Sequence, residues 1–267
     1  MSQSPTILIF DSGLGGLTVH REVAAARPEA RLIYAADDEA FPYGPMDETK
    51  LVTRVLAVVG ALIEQHRPDL AVIACNTAST IVLPELRARY TLPFVGTVPA
   101  IKPACVTTAS KRVSVLGTEA TVKREYTHGL ISQFSNGCDV KLVGSARLAR
   151  FAEAELRGHP VSDAEIAEEI TPCFIDSKGR RTDTVVLACT HYPLLQHRFE
   201  QVQPWPVTYL DPAPAIARRV DQLLGPARSS EPARSAQMAT TLGQRPSPEL
   251  EKALFSFGIN EFGRISV

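Results

Sequence analysis

Long apolar runs are missing from this sequence. The stretch Ile7–Phe10 near the N-terminus is far shorter than the roughly 18 residues a membrane span needs, and no other run approaches that length. Met1–Thr6 carries no positive charge ahead of it, so no export signal is expected and the chain should stay in the cytoplasm where it is made. A charge excess of one sign is missing too: 28 Lys and Arg stand against 29 Asp and Glu, a formal net charge of −1. A basic stripe for nucleic acid is therefore not expected. There are five cysteines, an odd number at wide spacing, and no C-x-x-C pair. That argues against a disulfide framework, a thioredoxin-like redox site and a zinc ribbon. Cys75, Cys189 and His191 lack the paired spacing of a zinc site, so no metal is expected. Gly13-Leu14-Gly15-Gly16 is neither G-x-G-x-x-G nor a P-loop, which removes the usual signature of a bound nucleotide.

What remains is an ordinary globular composition, 45% hydrophobic and 21% charged over 267 residues, enough for one or two domains. Short apolar runs alternate with helical patterns. The expected strands are Ile7–Phe10, Leu32–Ala35, Leu70–Ala74, Phe94–Val98, Val113–Leu116, Val140–Val143, Thr184–Ala188 and Val207–Leu210, all apolar on both faces as in a buried parallel sheet. Glu48–His66 places Val52, Val55, Leu56, Val59 and Ile63 on one helical face behind an Asp47 cap. Ser162 and Glu165 have the spacing of a capping box. Ser247-Pro248 opens a last helix that Gly258 would end. Gly225–Gln237, rich in Ser, Pro, Ala and Arg, reads as an exposed connection. The fold class is α/β with mainly parallel sheet flanked by helices. A faint repeat suggests two such units: one strand ends in Ala74-Cys75-Asn76-Thr77 and another in Ala188-Cys189-Thr190-His191, while Ile7–Phe10 runs into Asp11-Ser12-Gly13 and Val113–Leu116 into Gly117-Thr118.

Ligands of open α/β sheets bind beyond the carboxyl ends of the strands. Both Ala-Cys motifs fall there. A free cysteine is usually a small buried hydrophobe. Here each cysteine is followed by polar residues where a helix would begin, and a helix N-terminus stabilises a thiolate. His191 is either a structural histidine or a charge partner for a neighbouring thiol. The Gly13–Gly16 turn permits close backbone approach to a carboxylate, or is an ordinary strand–helix turn. Asp11 and Asp37 end strands and are open to three roles: binding an ammonium group, assisting a thiol, or capping a helix. Phe41-Pro42-Tyr43-Gly44 alone is only a bend. Cys105, Cys138 and Cys173 read as structural thiols.

Taken in order, these pieces resemble the glutamate racemases of the aspartate/glutamate racemase superfamily. The matching segments are Phe10–Val19, Asp37 ahead of Pro42-Tyr43-Gly44, Ala74–Ser79, Pro93–Gly96 with Pro99-Ala100, Gly117–Thr121 and Leu187–Pro193, covering about residues 7–212. The resemblance implies two similar, pseudo-symmetric α/β domains, 1–98 with 213–267 and 99–212, with the active site in the cleft between them. It implies interconversion of L- and D-glutamate with no cofactor and no metal, supplying D-glutamate for peptidoglycan precursors. Carried over by position, Cys75 and Cys189 are the acid/bases, with Asp11 assisting the first and His191 the second. Asp11, Ser12, Tyr43, Gly44, Asn76, Thr77, Thr118, Thr121, Thr190 and His191 would contact the substrate. The acidic helper of the second cysteine is placed at Glu153, with Glu155 as the alternative. Asp38-Glu39 departs from the family's smaller, less acidic pair, with no consequence legible in the sequence. The resemblance allows a homodimer and implies no membrane or nucleic-acid partner.

The chemistry fits that residue set. Inverting an α-carbon needs a base on one face and an acid on the other, since one base returns the proton to the side it left. Two thiols, one starting as thiolate, meet this requirement. By resemblance, Cys75 takes the proton from the D-enantiomer and Cys189 from the L-enantiomer. Preorganised donors must then stabilise the carbanion. The rival readings are racemisation of aspartate or a hydantoin, a one-cysteine decarboxylase or isomerase, and a non-catalytic dicarboxylate-binding protein.

Overall fold

The computed structural model describes residues 4–177, 179–227 and 236–266. Residues 1–3 of the N-terminal stretch and 228–235 of the expected exposed connection lie outside the described residues. In chain order the elements are β1 (Thr6–Asp11), α1 (Leu17–Ala26), β2 (Arg31–Ala36), α2 (Glu48–His66), β3 (Leu70–Ile73), α3 (Asn76–Arg89) and β4 (Phe94–Gly96). There follow α4 (Ile101–Thr107), β5 (Arg112–Thr118), α5 (Glu119–Lys123), α6 (Glu125–Phe134), β6 (Asp139–Ser145), α7 (Leu148–Leu156) and α8 (Asp163–Ile170). Then come β7 (Asp176–Ser177), β8 (Arg180–Arg181), β9 (Thr184–Ala188), α9 (Gln196–Val202) and β10 (Thr208–Leu210). The chain closes with α10 (Ala213–Leu224), β11 (Ala236–Thr240), α11 (Pro248–Ser256) and β12 (Ile259–Arg264). It divides into two compact units: Met1–Thr97 with Leu156–Gly158 and Ala213–Val267, and Val98–Glu155 with His159–Pro212. These limits differ from the sequence division at Val98 and at 156–158.

In the first unit a parallel sheet runs β12-β11-β2-β1-β3-β4. Side chains alternate across it, as the strand period of two requires. Ile7 and Ile9 point into one apolar layer with Leu17, Val23, Ile216 and Val220 of α1 and α10. Leu8 and Phe10 point into the other, with Val55, Val59, Val82 and Leu86 of α2 and α3. Asp47 caps α2 by accepting from the Lys50 N–H. The buried face of α2 centres on Leu51, Val55, Val58 and Leu62. Val52, Leu56 and Ile63 of the expected stripe lie on its flank, half-buried.

The second unit has the parallel order β10-β9-β5-β6 and a separate antiparallel hairpin, β7-β8. All eight expected strands are present. Two of them are not apolar on both faces. β6 exposes Asp139, Lys141 and Gly144, and β10 exposes Thr208, because both are edge strands of the sheet. The capping box at Ser162 and Glu165 forms as expected. Ser247 caps α11, and Gly258 follows it with φ +78. The connection expected to run to Gln237 ends earlier, since Ala236-Gln237 already belong to β11.

The internal repeat is real at the level of topology. In the first unit β1 lies between β2 and β3, with β4 beyond; in the second, β5 lies between β6 and β9, with β10 beyond. Each is a 2-1-3-4 order. The chain goes to one side of the first strand, then crosses to the other. That reversal is the switch point of a doubly wound sheet, where helices leave a crevice at the strand ends.

Candidate active site

At the switch point of the first unit, β1 ends on Asp11 and β3 is followed by Ala74-Cys75. The Ala74 N–H donates to the Phe10 carbonyl at 2.8 Å. Asp11 is wholly buried and accepts from Ser12 Oγ and from the Gly13 N–H, both at 3.2 Å. The turn after it is tightly shaped. The Tyr34 hydroxyl donates to the Gly13 carbonyl at 2.5 Å. A Cβ on Gly16 would stand 2.9 Å from Asp11 Cβ and 3.0 Å from Asp11 Oδ2. Glycine at this position leaves room for the carboxylate.

Cys75 is 7% exposed and is the N-cap residue of α3, so its sulfur sits at the helix start that the sequence implied. Asn76 and Thr77 follow inside the first turn, both buried. The Asn76 amide has neither its oxygen nor its nitrogen paired with any hydrogen-bond partner among the described residues. A buried polar group left so is costly unless something else satisfies it. Tyr43 is buried, and the Phe41–Pro42 bond ahead of it is cis. Its hydroxyl donates to Asp37 Oδ2 at 2.6 Å. Burial, then the Asp37 carboxylate, push the phenol well above its ordinary pKa, so it stays a protonated donor. Asp37 stands at the N-cap position of the 3-10 turn Asp38–Ala40, but its side chain makes no capping bond to that turn. Gly44 follows, half-buried.

The switch point of the second unit repeats the plan with different support. β5 ends on Thr118, whose hydroxyl lies 2.9 Å from that of Thr121 and accepts from the Thr121 N–H. β9 leads directly to Cys189, also 7% exposed. No α-helix begins here, contrary to the sequence expectation. Cys189–His191 form a turn, a 3-10 segment spans Tyr192–Leu195 with Pro193 in it, and α9 starts only at Gln196. The turn folds His191 back onto the cysteine. His191 Nδ1 lies 3.8 Å from Cys189 Sγ, and Nε2 lies 3.1 Å from Glu153 Oε1. Burial alone would favour neutral imidazole; the sulfur and the carboxylate outweigh it and raise the His191 pKa well above its ordinary value. The result is a buried sulfur–imidazolium–carboxylate line. Thr190, between the two, is buried.

Glu155, the alternative to Glu153, is paired elsewhere, with Arg198. Residues two apart on a helix point about 200° apart, so one α7 carboxylate reaches His191 and the other does not. The Asp38-Glu39 pair also gains a place. Asp38 Oδ1 accepts from the Leu242 N–H at 2.9 Å, and Glu39 Oε2 from Arg54 at 2.7 Å. Arg54 and Thr241, both on Asp37, were not singled out in the sequence; nothing in an amphipathic pattern marks a polar-face arginine or a strand-end threonine as belonging to a site. Of the remaining cysteines, burial pushes the Cys105 and Cys173 thiols up to about 12, which suits packing and not reaction.

The fold and these groups together define a doubly wound α/β protein with a buried cysteine just past a strand end in each unit. Residues 18–220 match the family model described as Asp/Glu/Hydantoin racemase. The chain is 50% identical over 256 residues to the glutamate racemase of Brucella anthropi, covering 95% of this chain and 92% of that one. It is 49% identical over 255 residues to that of Agrobacterium fabrum, covering 95% and 93%. The solved structure of Escherichia coli glutamate racemase in complex with L-glutamate and the activator UDP-MurNAc-Ala superimposes with a TM-score of 0.90 at 42% identity, covering 99% of each chain. The chain belongs to the Asp/Glu/Hydantoin racemase family, as its motifs implied.

Proposed function

We propose that the protein interconverts L- and D-glutamate by two-thiol proton transfer, with the two units as its domains. In the L-to-D direction the Cys189 thiolate removes the α-proton and becomes a thiol. The carbanion then takes a proton on its other face from the Cys75 thiol, which is left as thiolate. The reverse direction exchanges these roles. The observation that carries the reading is the Cys189–His191–Glu153 line, standing after the strand equivalent to the one that precedes Cys75. An imidazolium beside the sulfur favours the thiolate, and Glu153 holds the imidazolium in its charged form. Asp11 is the helper of Cys75, where the start of α3 adds its own field.

Asp11, Ser12, Tyr43, Gly44, Asn76 and Thr77 from the first unit, with Thr118, Thr121, Thr190 and His191 from the second, are the groups proposed to hold the substrate. The unpaired Asn76 amide offers both a donor and an acceptor to an amino-acid zwitterion. Preorganised N–H and hydroxyl donors would stabilise the charge that develops as the proton leaves. The reading needs no cofactor or metal. The product would serve peptidoglycan precursors in the cytoplasm; no helix among the described residues is long and apolar enough to cross a membrane.

The test is optical activity with each enantiomer of glutamate, aspartate and a 5-substituted hydantoin. Decay of the glutamate signal to zero from both sides is expected. Decay with aspartate or hydantoin alone would reassign the substrate. Binding of glutamate without decay of any signal would leave a dicarboxylate-binding protein.

A further inference from the structure

Asp37 stood as a candidate for touching substrate, and its surroundings give it other work. Its carboxylate is wholly buried and receives donors from three directions. Tyr43 donates to Oδ2 at 2.6 Å. Arg54 on α2 donates through Nη2 to Oδ1 at 2.6 Å and through Nε to Oδ2 at 3.0 Å, the two-pronged geometry of a guanidinium on a carboxylate. Thr241, one residue past β11, donates to Oδ1 at 2.9 Å. A carboxylate so committed has little acceptor capacity left for an ammonium group.

The same two anchors hold the neighbours of Asp37. Arg54 Nη2 also reaches Glu39 Oε2 at 2.7 Å, and Thr241 Oγ1 accepts from the Glu39 N–H at 3.1 Å. The loop from Asp37 to Tyr43 is thereby fixed at its start by a helix and by the strand end beside it. Its far end is fixed by the Tyr43 hydroxyl on that same carboxylate.

We propose that Arg54, with Thr241, is a positioning residue: acting through Asp37, it fixes Tyr43 and the Tyr43-Gly44 backbone where the substrate binds. The inference rests on the assignment of Tyr43 and Gly44 to the substrate site. It gives Asp38-Glu39 a mechanical meaning as well, since Glu39 shares the Arg54 guanidinium and Asp38 accepts from the Leu242 N–H.

The experiment joins steady-state kinetics to hydrogen–deuterium exchange on the full chain. Arg54→Gln should raise KM for glutamate about tenfold, the scale of a lost hydrogen bond to a charged group, and leave kcat within about threefold. Arg54→Lys, which keeps the charge but not the fork, should recover part of the loss. In a Tyr43→Phe background, Arg54→Gln should add little, because both act on one contact. Amide exchange in the 38–46 segment should quicken in Arg54→Gln and in Thr241→Val while the rest of the chain keeps its protection. A fall in kcat with KM unchanged, multiplicative effects in the double variant, or unaltered exchange in 38–46 would each overturn the proposal. Should wild-type protein lack racemase activity, the functional reading falls, and the exchange experiment still decides whether Arg54 and Thr241 hold the loop.

Discussion

Cys75 and Cys189 follow equivalent strands yet have different neighbours. Cys75 stands at the start of a full α-helix. Cys189 stands in a turn and has His191 and Glu153 in line. The first support is a fixed dipole; the second titrates. Because the His191 pKa is raised, its charge is present at low and neutral pH and is lost as pH climbs through that raised value. Glu153→Gln removes one of the groups that hold the proton, so the imidazolium should deprotonate earlier. The alkaline limb of kcat/KM should move to lower pH, and an unmoved limb would show that Glu153 does not support His191. The motifs made both cysteines and His191 legible, because each lies within a short contiguous motif, Ala74–Thr77 or Ala188–His191. Glu153 was harder, since the choice between it and Glu155 depends on which way α7 is turned.

Elements explain the precision of the first turn. Between β1 and α1 the chain must reverse around a buried carboxylate, and Gly16 is where a side chain would strike it. Gly16→Ala should therefore displace Asp11, and the Tyr34 ring, 3.1 Å from the same point, must give by a few tenths of an ångström beside it. We expect kcat/KM to fall on the order of tenfold or more, the sensitivity expected when a catalytic group is misplaced, with a much smaller change in unfolding midpoint. Equal activity in the variant would mean that Asp11 tolerates the shift. The sequence marked the interior strands well, since Val, Ile and Leu buried on two faces leave a strong pattern. It missed β11 and β12. Ala236–Thr240 reads Ala-Gln-Met-Ala-Thr, poor in β-branched residues, and β12 exposes Asn260, Glu261 and Arg264 as the edge of its sheet. The Cys189 turn was missed for a local reason: a helix was expected directly after the strand, and Tyr192-Pro193 begins a 3-10 segment instead.

At the scale of the whole molecule, one strand order occurs twice, and in each copy a buried cysteine, Cys75 or Cys189, follows the third strand. Stability has its own acid-sensitive point in the first unit. His20 is fully buried against the edge of Tyr34, with neither ring nitrogen hydrogen-bonded among the described residues, and burial lowers its pKa to about 4. Between pH 6.5 and about 4 the unfolded chain binds a proton that the folded chain refuses, so stability falls as pH drops through that window. From those two values the loss between pH 8 and pH 5 is about 2 kcal/mol, and His20→Leu should remove it from the pH dependence of urea unfolding. An identical pH dependence in the variant would contradict this. Catalysis has a constraint of the same generality. Enantiomers have equal free energy, so kcat/KM must be equal in the two directions for the wild type and for every active variant. The most direct test of the central claim is proton NMR of L-glutamate with the purified, reduced protein in deuterium oxide, beside Cys75→Ala and Cys189→Ala. The two-thiol account predicts loss of the α-proton signal and appearance of D-glutamate with the wild type, and no racemisation with either variant. Racemisation that survives the loss of either cysteine would contradict it.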